Sequence, residues 1–352
     1  MKTLLLVAHD AGGALLLAHW ARSMIERRDA QHHIQFKFAL SGPAVAIFTE
    51  LFADLFNRIF DGSQNAPDSE PLAAQALQKE VLQKEALWQD ADPSKWQRLD
   101  AVITGTGWQT QFEQRHIAVA KRMGITCAAY LDHWANYRQR FAADHDCSNS
   151  VGECTPLQLP NEIWVGDTFA RRCAQQAFIN ERPRIRLIKN RYLVDLKKQV
   201  GDFKHQNRCE NQRRDSKKTN ITSLICLEPI RQPDVDYQAL YQPMVSFLAQ
   251  QHLASACRLA GEGNVILRLH PSMAPCGLEQ LQAALTQQAI PFHISHRPLA
   301  NDLAMADTVF GYQSSVLVYA MALGLPVYSF FPAHKMEPIL PHSDIHYLSR
   351  VS

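Results

Sequence analysis

The chain has 352 residues, of which 46% are hydrophobic and 20% charged, with a formal net charge of +2. This is the composition of an ordinary globular protein long enough for two domains, and so balanced a charge gives no global field to attract nucleic acid, which is not expected as a partner. No stretch approaches the ~20 apolar residues of a membrane span, and the opening KTLLLVAHD is too short an apolar run for a signal peptide.

The elements alternate from the start. Residues 4–8 read as a strand, and AGGALLLAHWARSMIER reads as a helix entered through Gly12 and Gly13. A strand over 33–39 and a helix over 44–56 follow. A polar stretch, 61–70, leads into a Gln/Lys/Ala-rich helical segment ending near Trp88. Next come a strand at 101–104, a helix at 109–123 and strands at 126–131 and 162–165. A helix at 167–179 and a short strand at 185–189 close this half. Alternation of this kind predicts a parallel sheet covered on both faces.

Residues 201–220 (GDFKHQNRCENQRRDSKKTN) are polar, charged and without apolar periodicity, and read as an interdomain linker. The alternation then restarts. Strands are expected at 223–227, 265–269, 292–295, up to Gly311, and at 327–331. Helices are expected at 237–259, 277–288, 299–305 and from the Ser314-Ser315 pair to Gly324. The expected organisation is an N-terminal domain over 1–200, the linker, and a C-terminal domain over 221–352. The fold class is α/β, with two doubly wound Rossmann-like domains facing a cleft.

Eight cysteines without a CxxC pair suggest free thiols in a reducing compartment, and the expected location is cytoplasmic. Cys147, Cys154 and His145 lack the close ligand spacing usual in structural zinc sites, so no metal is expected.

Parallel sheets bind ligands at the carboxyl ends of their strands, so the polar residues that follow strands are the candidates. In VILRLHP, Pro271 stops the strand and holds His270 beyond it, where an imidazole can serve a leaving phosphate as general acid or simply bond to backbone. In GYQSSVLVYAMALGLP, Ser314 and Ser315 open a helix after Gly311. They suit a phosphate, or act as a plain N-cap. In LEPIRQP, Glu228 suits a ribose or sugar hydroxyl and Arg231 a phosphate; a surface ion pair is the alternative.

The first half offers three more. In CAAYLDHWANYRQRF, Asp132 follows a strand and can take a proton from an acceptor hydroxyl. His133, Asn136, Tyr137, Arg138 and Arg140 after it suit sugar and carboxylate recognition, or a packed aromatic loop. In AHDAGGA, His9 and Asp10 precede Gly12 and Gly13, whose backbone N–H groups can meet a ligand. This is not GxGxxG, so no dinucleotide cofactor is expected. In TGTGWQTQFE, Thr106 lies in a loop that either lines an acceptor pocket or makes a tight turn.

The two-half layout resembles the GT-B fold of glycosyltransferases and sugar-nucleotide epimerases. Within it, His270-Pro271 and Ser314-Ser315 resemble the HP and paired-serine motifs of bacterial sialyltransferases and capsule Kdo (3-deoxy-octulosonic acid) transferases. The resemblance implies that these motifs hold a CMP-sugar and that the histidine assists departure of the phosphate. That family's paired acidic motif is matched here only by Leu131-Asp132-His133, with one carboxylate and no glycine. The implied activity is a metal-independent, inverting glycosyltransferase of bacterial surface-polysaccharide assembly. Its partners would be a nucleotide-activated acidic sugar and a saccharide or lipid-linked saccharide acceptor. Basic residues over 182–198 read as a solvated surface, with peripheral contact with an anionic membrane as the alternative. A sugar-nucleotide hydrolase or 2-epimerase of the same fold is the alternative, and a non-catalytic nucleotide-sugar binding protein a further one.

Overall fold

The computed structural model describes residues 2–26, 34–60, 96–107, 110–142, 156–214, 221–230, 235–256, 264–270, 275–332 and 336–348. The helical segment expected to end near Trp88 and the residues His145, Cys147, Cys154 and Arg231 lie outside them. By its internal contacts the chain forms two compact units, Met1–Tyr192 and Leu193–Ser352.

In the first unit, strands β1 (Lys2–Ala8), β2 (Ile34–Leu40), β3 (Ala101–Thr104), β4 (Thr126–Leu131), β5 (Glu162–Val165) and β6 (Arg184–Leu187) form one sheet. Its order is β2-β1-β3-β4-β5-β6 and every pairing is parallel. The inner strands are largely apolar because a parallel sheet is buried on both faces, whereas the edge strand β6 (RIRL) is mostly exposed. Leu5, Leu6, Val7 and Ala8 are all fully buried. Helices α1 (Ala11–Glu26) and α2 (Pro43–Phe60) cover one face. There Leu16, Leu17, Phe48 and Phe52 join a cluster with Tyr130 and Trp164. Helix α3 (Phe112–Arg122) opens on Glu113 and ends on Lys121 and Arg122, which match the charges of the helix dipole. Helix α4 (Thr168–Ala177) is capped by Asp167, whose side chain accepts the Ala170 N–H at 2.7 Å.

The second unit begins two residues into helix α5 (Arg191–Arg214). Residues 201–214, expected as aperiodic linker, are therefore the second half of a helix. Only Leu196 and Val200 among its described side chains are buried, both in its first half. Half of residues 201–214 are Lys, Gln, Glu or Arg, which favour helix, and the segment shows no apolar periodicity to read. Strands β7 (Thr222–Leu227), β8 (Asn264–Leu269), β9 (Phe292–Ser295), β10 (Thr308–Gly311), β11 (Val327–Ser329) and β12 (His346–Tyr347) form the second sheet. The order β12-β11-β10-β7-β8-β9 is again wholly parallel. Helices α6 (Tyr237–Ala256), α7 (Pro275–Gln287), α8 (Leu299–Met305) and α9 (Ser315–Ala322) alternate with the strands.

The two strand orders decide where polar groups collect. In the first sheet the chain leaves β1 for β2 on one side and returns to β3 on the other. In the second it runs outward from β7 to β9 and resumes at β10 on the opposite flank. A crevice opens outside the carboxyl ends of the strands at such a reversal, and in open parallel sheets ligands bind there. The two places are the β1/β3 ends and the β7/β10 ends.

Candidate active site

At the β1/β3 reversal, β1 delivers His9 and Asp10, β3 delivers Gly105, Thr106 and Gly107, and the neighbouring β4 delivers Asp132. Two centres form there.

The first is built on Asp132. Its Oδ1 accepts from Arg140 Nη1 at 2.6 Å and from the Thr106 hydroxyl at 3.4 Å. Arg140 is only 6% exposed and also donates to the Thr106 carbonyl at 2.7 Å and the Ala135 carbonyl at 3.1 Å. The other carboxylate oxygen, Oδ2, lies against Gly12: a Cβ there would stand 2.0 Å from it. Gly12 therefore admits Asp132 to the first turn of α1, where the helix dipole favours a negative charge. Gly13 packs on Gly105. The glycine pair expected to face a ligand with its backbone is thus packed against protein groups.

The second centre was not singled out from the sequence. Glu113, in the first turn of α3, is 1% exposed. Its Oε1 accepts the His9 backbone N–H at 2.9 Å, and its buried Oε2 has no hydrogen-bond partner among the described residues. Burial, with a smaller contribution from Asp10, pushes the Glu113 carboxyl up to about 7. His9 Nδ1 and Asp10 Oδ1 are 2.8 Å apart. The only hint in the sequence was the pair of glycines, 105 and 107, next to a helix opening on Glu.

Of the other candidates in this unit, Arg138 is held in a forked pair with Glu181 at 2.8 and 3.0 Å and donates to the Ala177 carbonyl. With Arg140 committed to Asp132, both cations expected to hold a sugar carboxylate are engaged by the protein itself. Tyr137 is 4% exposed and burial raises its hydroxyl, so it belongs to the packing of the loop. His133 is half-buried against the Trp134 ring, and Asn136 makes an exposed turn at φ 57°.

At the β7/β10 reversal, Glu228 follows β7 and accepts the Gln313 N–H. Burial pushes this carboxyl, too, up to about 7. Gly311 is buried at the end of β10 against Leu317. Ser314 caps α9, its hydroxyl accepting the Val316 N–H at 3.2 Å, and Ser315 is the first helical residue. His270 follows β8, is exposed, and donates its backbone N–H to the Leu227 carbonyl at 2.9 Å. The structure brings Glu228, Gly311 and Ser314 to one reversal point, with His270 on the next strand end. Among the described residues no group of three or more His, Cys, Asp or Glu side chains is arranged to hold a metal, and no helix is long and apolar enough to cross a membrane.

No protein-family model matches the chain, and no curated protein matches it. Solved structures do. UDP-GlcNAc 2-epimerase from Neisseria meningitidis, bound to UDP-GlcNAc, is 11% identical with a TM-score of 0.57, over 93% of this chain and 82% of that one. A UDP-N-acetylglucosamine 2-epimerase from Listeria monocytogenes, so described provisionally, is 13% identical with a TM-score of 0.54, over 94% and 79%. The S. aureus protein MnaA with UDP is 11% identical with a TM-score of 0.53, over 94% and 79%. These likenesses establish a fold, broader than the resemblance to sialyltransferases and Kdo transferases. The chain has the two-Rossmann-domain, GT-B-like fold found in UDP-sugar epimerases.

Proposed function

We propose that the protein is an enzyme acting on a nucleotide-activated sugar, and that it works on the sugar itself, as an epimerase or hydrolase. The observation that carries this is the presence of two separately held titratable centres at the strand ends of the first unit, Asp132 with Arg140 and Glu113 with Asp10 and His9. Deprotonating an acceptor hydroxyl takes one base. Moving a proton off and onto a sugar, or activating water against a protonated leaving group, takes an acid and a base held apart. In the second unit, His270 and the α9 start at Ser314 are the phosphate-binding groups of this reading. UDP is the nucleotide favoured, because the proteins of like fold are described with UDP or UDP-GlcNAc. The acidic donor has less support, since Arg138 and Arg140 already have carboxylate partners.

The second reading is a glycosyltransferase of surface-polysaccharide synthesis, in which Asp132 deprotonates the acceptor. It is favoured by the partial exposure of Asp132, whose side chain is 16% accessible. One experiment separates the two. Incubation with UDP-N-acetylhexosamines and no acceptor, followed by NMR, is expected to give free UDP with free sugar, or an epimer. His270→Ala is expected to lose the thermal shift that UDP gives the wild type. Turnover only after a saccharide acceptor is added would move the assignment to the transferase, and no binding of any nucleotide sugar by the folded protein would overturn both.

A further inference from the structure

The centre at Glu113 has a geometry that goes beyond holding a loop in place. A Cβ built on Gly107 would lie 2.8 Å from Asp10 Oδ2 and 3.1 Å from Glu113 Oε2. Two carboxylate oxygens therefore converge on the space beside one glycine. Two negative charges drawn to the same spot, one of them shut away from water, repel, and the pair favours keeping a proton. Glu113 is the member shut away, and its Oε1 is already occupied by the His9 N–H. The proton therefore belongs on Oε2, the oxygen that faces Asp10. Asp10, left ionised, presents its Oδ1 to His9 Nδ1 at 2.8 Å. A carboxylate at that nitrogen fixes the tautomer with Nδ1 protonated and Nε2 open to accept. The imidazole is 21% exposed, with Nε2 beside Gly42, whose built Cβ would stand 2.8 Å from it, and the Phe112 ring 6.3 Å away.

The geometry points to a proton-sharing relay, Glu113 to Asp10 to His9, that presents His9 Nε2 as the acid–base group of the first unit. Resting on the reading that this unit acts on a sugar, it assigns the proton-transfer step to His9, with Asp10 and Glu113 as positioning residues. In that step His9 Nε2 takes a proton from the substrate or from water, the imidazolium is stabilised by Asp10, and Glu113 keeps its own proton throughout. The other titratable groups near Glu113 do not compete. His116, one turn on along α3, bonds the Phe112 carbonyl and is held neutral by burial. On the β4 side, Asp132 is paired with Arg140. The described residues of β3 and its following loop, 101–107, and the first turn of α1 contribute no charge.

The test uses the full chain with carboxyl-labelled glutamate and needs no substrate. One glutamate carboxyl resonance, identified by its loss in Glu113→Gln, is expected to titrate near 7, and Asp10→Asn is expected to lower that midpoint. A Glu113 midpoint near that of an ordinary glutamate, or one that Asp10→Asn leaves in place, overturns the relay. If Glu113→Gln does not fold, the resonance that moves in Asp10→Asn serves for identification, and absence of any movement is again fatal. The catalytic arm is separate. With UDP-N-acetylhexosamine as probe, His9→Ala is expected to lower kcat at least a hundredfold while the UDP thermal shift is retained. In Glu113→Gln the fall in kcat as pH rises through about 7 should disappear, because the amide cannot ionise. An intact kcat in His9→Ala sinks the assignment to His9. A chain that turns over no nucleotide sugar sinks the functional reading and leaves the carboxyl titration to decide the relay by itself.

Discussion

Replacing Gly12 with alanine should destabilise the protein, against the usual direction for glycine in a helix. Alanine is favoured there by about 0.5–1 kcal/mol on backbone entropy alone. In this chain its methyl would stand 2.0 Å from Asp132 Oδ2, so the carboxylate must retreat by more than an ångström to reach ordinary contact. The carboxylate is rigid, and its other oxygen is 2.6 Å from Arg140 Nη1. Retreat therefore stretches an ion pair whose arginine is only 6% exposed. Deleting a partner from a buried pair costs about 3–5 kcal/mol. Here the partner is displaced and, being 16% exposed, finds some water, so the loss should be about 2–3 kcal/mol. Set against the propensity gain, Gly12→Ala is expected to cost about 2 kcal/mol, or about 4–8 °C in Tm for a unit of this size. Urea unfolding of wild type, Gly12→Ala, Asp132→Ala and the double variant completes the cycle. On the Asp132→Ala background the methyl meets no carboxylate, and Gly12→Ala should become stabilising by up to about 1 kcal/mol. An equal effect of Gly12→Ala on both backgrounds would refute the reasoning, because Gly12 and Asp132 would then not be coupled.

Glu113 makes stability depend on pH in a direction opposite to a salt-bridged carboxylate. Its folded value of about 7 lies above the ordinary 4.5. The favourable contribution is therefore complete below about 4.5 and is lost as pH rises through about 7. The shift corresponds to about 3 kcal/mol, so the stability of Glu113→Gln relative to wild type should rise by about that much between pH 4.5 and 8.5; a difference that stays flat across that range would contradict it. In the second unit, Asp302 is fully buried, with Oδ1 accepting from the Ser295 hydroxyl at 2.7 Å and Oδ2 from Arg268 at 2.8 Å. Asp302→Ala should cost about 3–5 kcal/mol by leaving both donors unmatched, read as a shift in urea midpoint at constant slope; a loss under 1 kcal/mol would mean that the network carries no load.

The inner strands were readable because they are apolar runs bounded by Gly, Pro or a polar residue, alternating with helical periodicity, whereas the two-residue edge strand β12 is too short to show a pattern and was not expected. Helix α5 was not read from the sequence: no helix was expected over 191–200, and the following residues were expected as linker. The sequence over 201–214 shows no apolar periodicity, so the only signal left was propensity, which composition alone presents as a polar linker. Asp132 stood out because it directly follows a strand. Glu113 did not, because a glutamate in the first turn of a helix already has an ordinary explanation in the helix dipole. What makes it unusual is its place beside β1, more than a hundred residues earlier in the chain, and that follows from the strand order β2-β1-β3. Arg138 and Arg140 make the related point that a cation in a loop looks available until its partner is known. Arg140 finds Asp132 eight residues back and Arg138 finds Glu181 on the far side of α4.

The two sheets arrive at a similar device by different strand orders. Each places a glutamate at its reversal point, Glu113 by β1 and β3 and Glu228 by β7 and β10, and burial raises each carboxyl to about 7. The consequence differs because the neighbours differ. Glu113 faces a second carboxylate, and its proton removes a like-charge conflict. Glu228 faces the Gln313 N–H just ahead of α9, the part of a helix that ordinarily attracts a phosphate. A permanently ionised glutamate there would repel that phosphate. A carboxyl that burial keeps largely protonated below about 7 does not, and it retains a hydroxyl able to donate to a phosphate or ribose oxygen. The same burial that makes Glu228 expensive to ionise thus keeps the start of α9 compatible with a nucleotide, and nucleotide affinity should weaken as pH rises through the range in which Glu228 loses its proton.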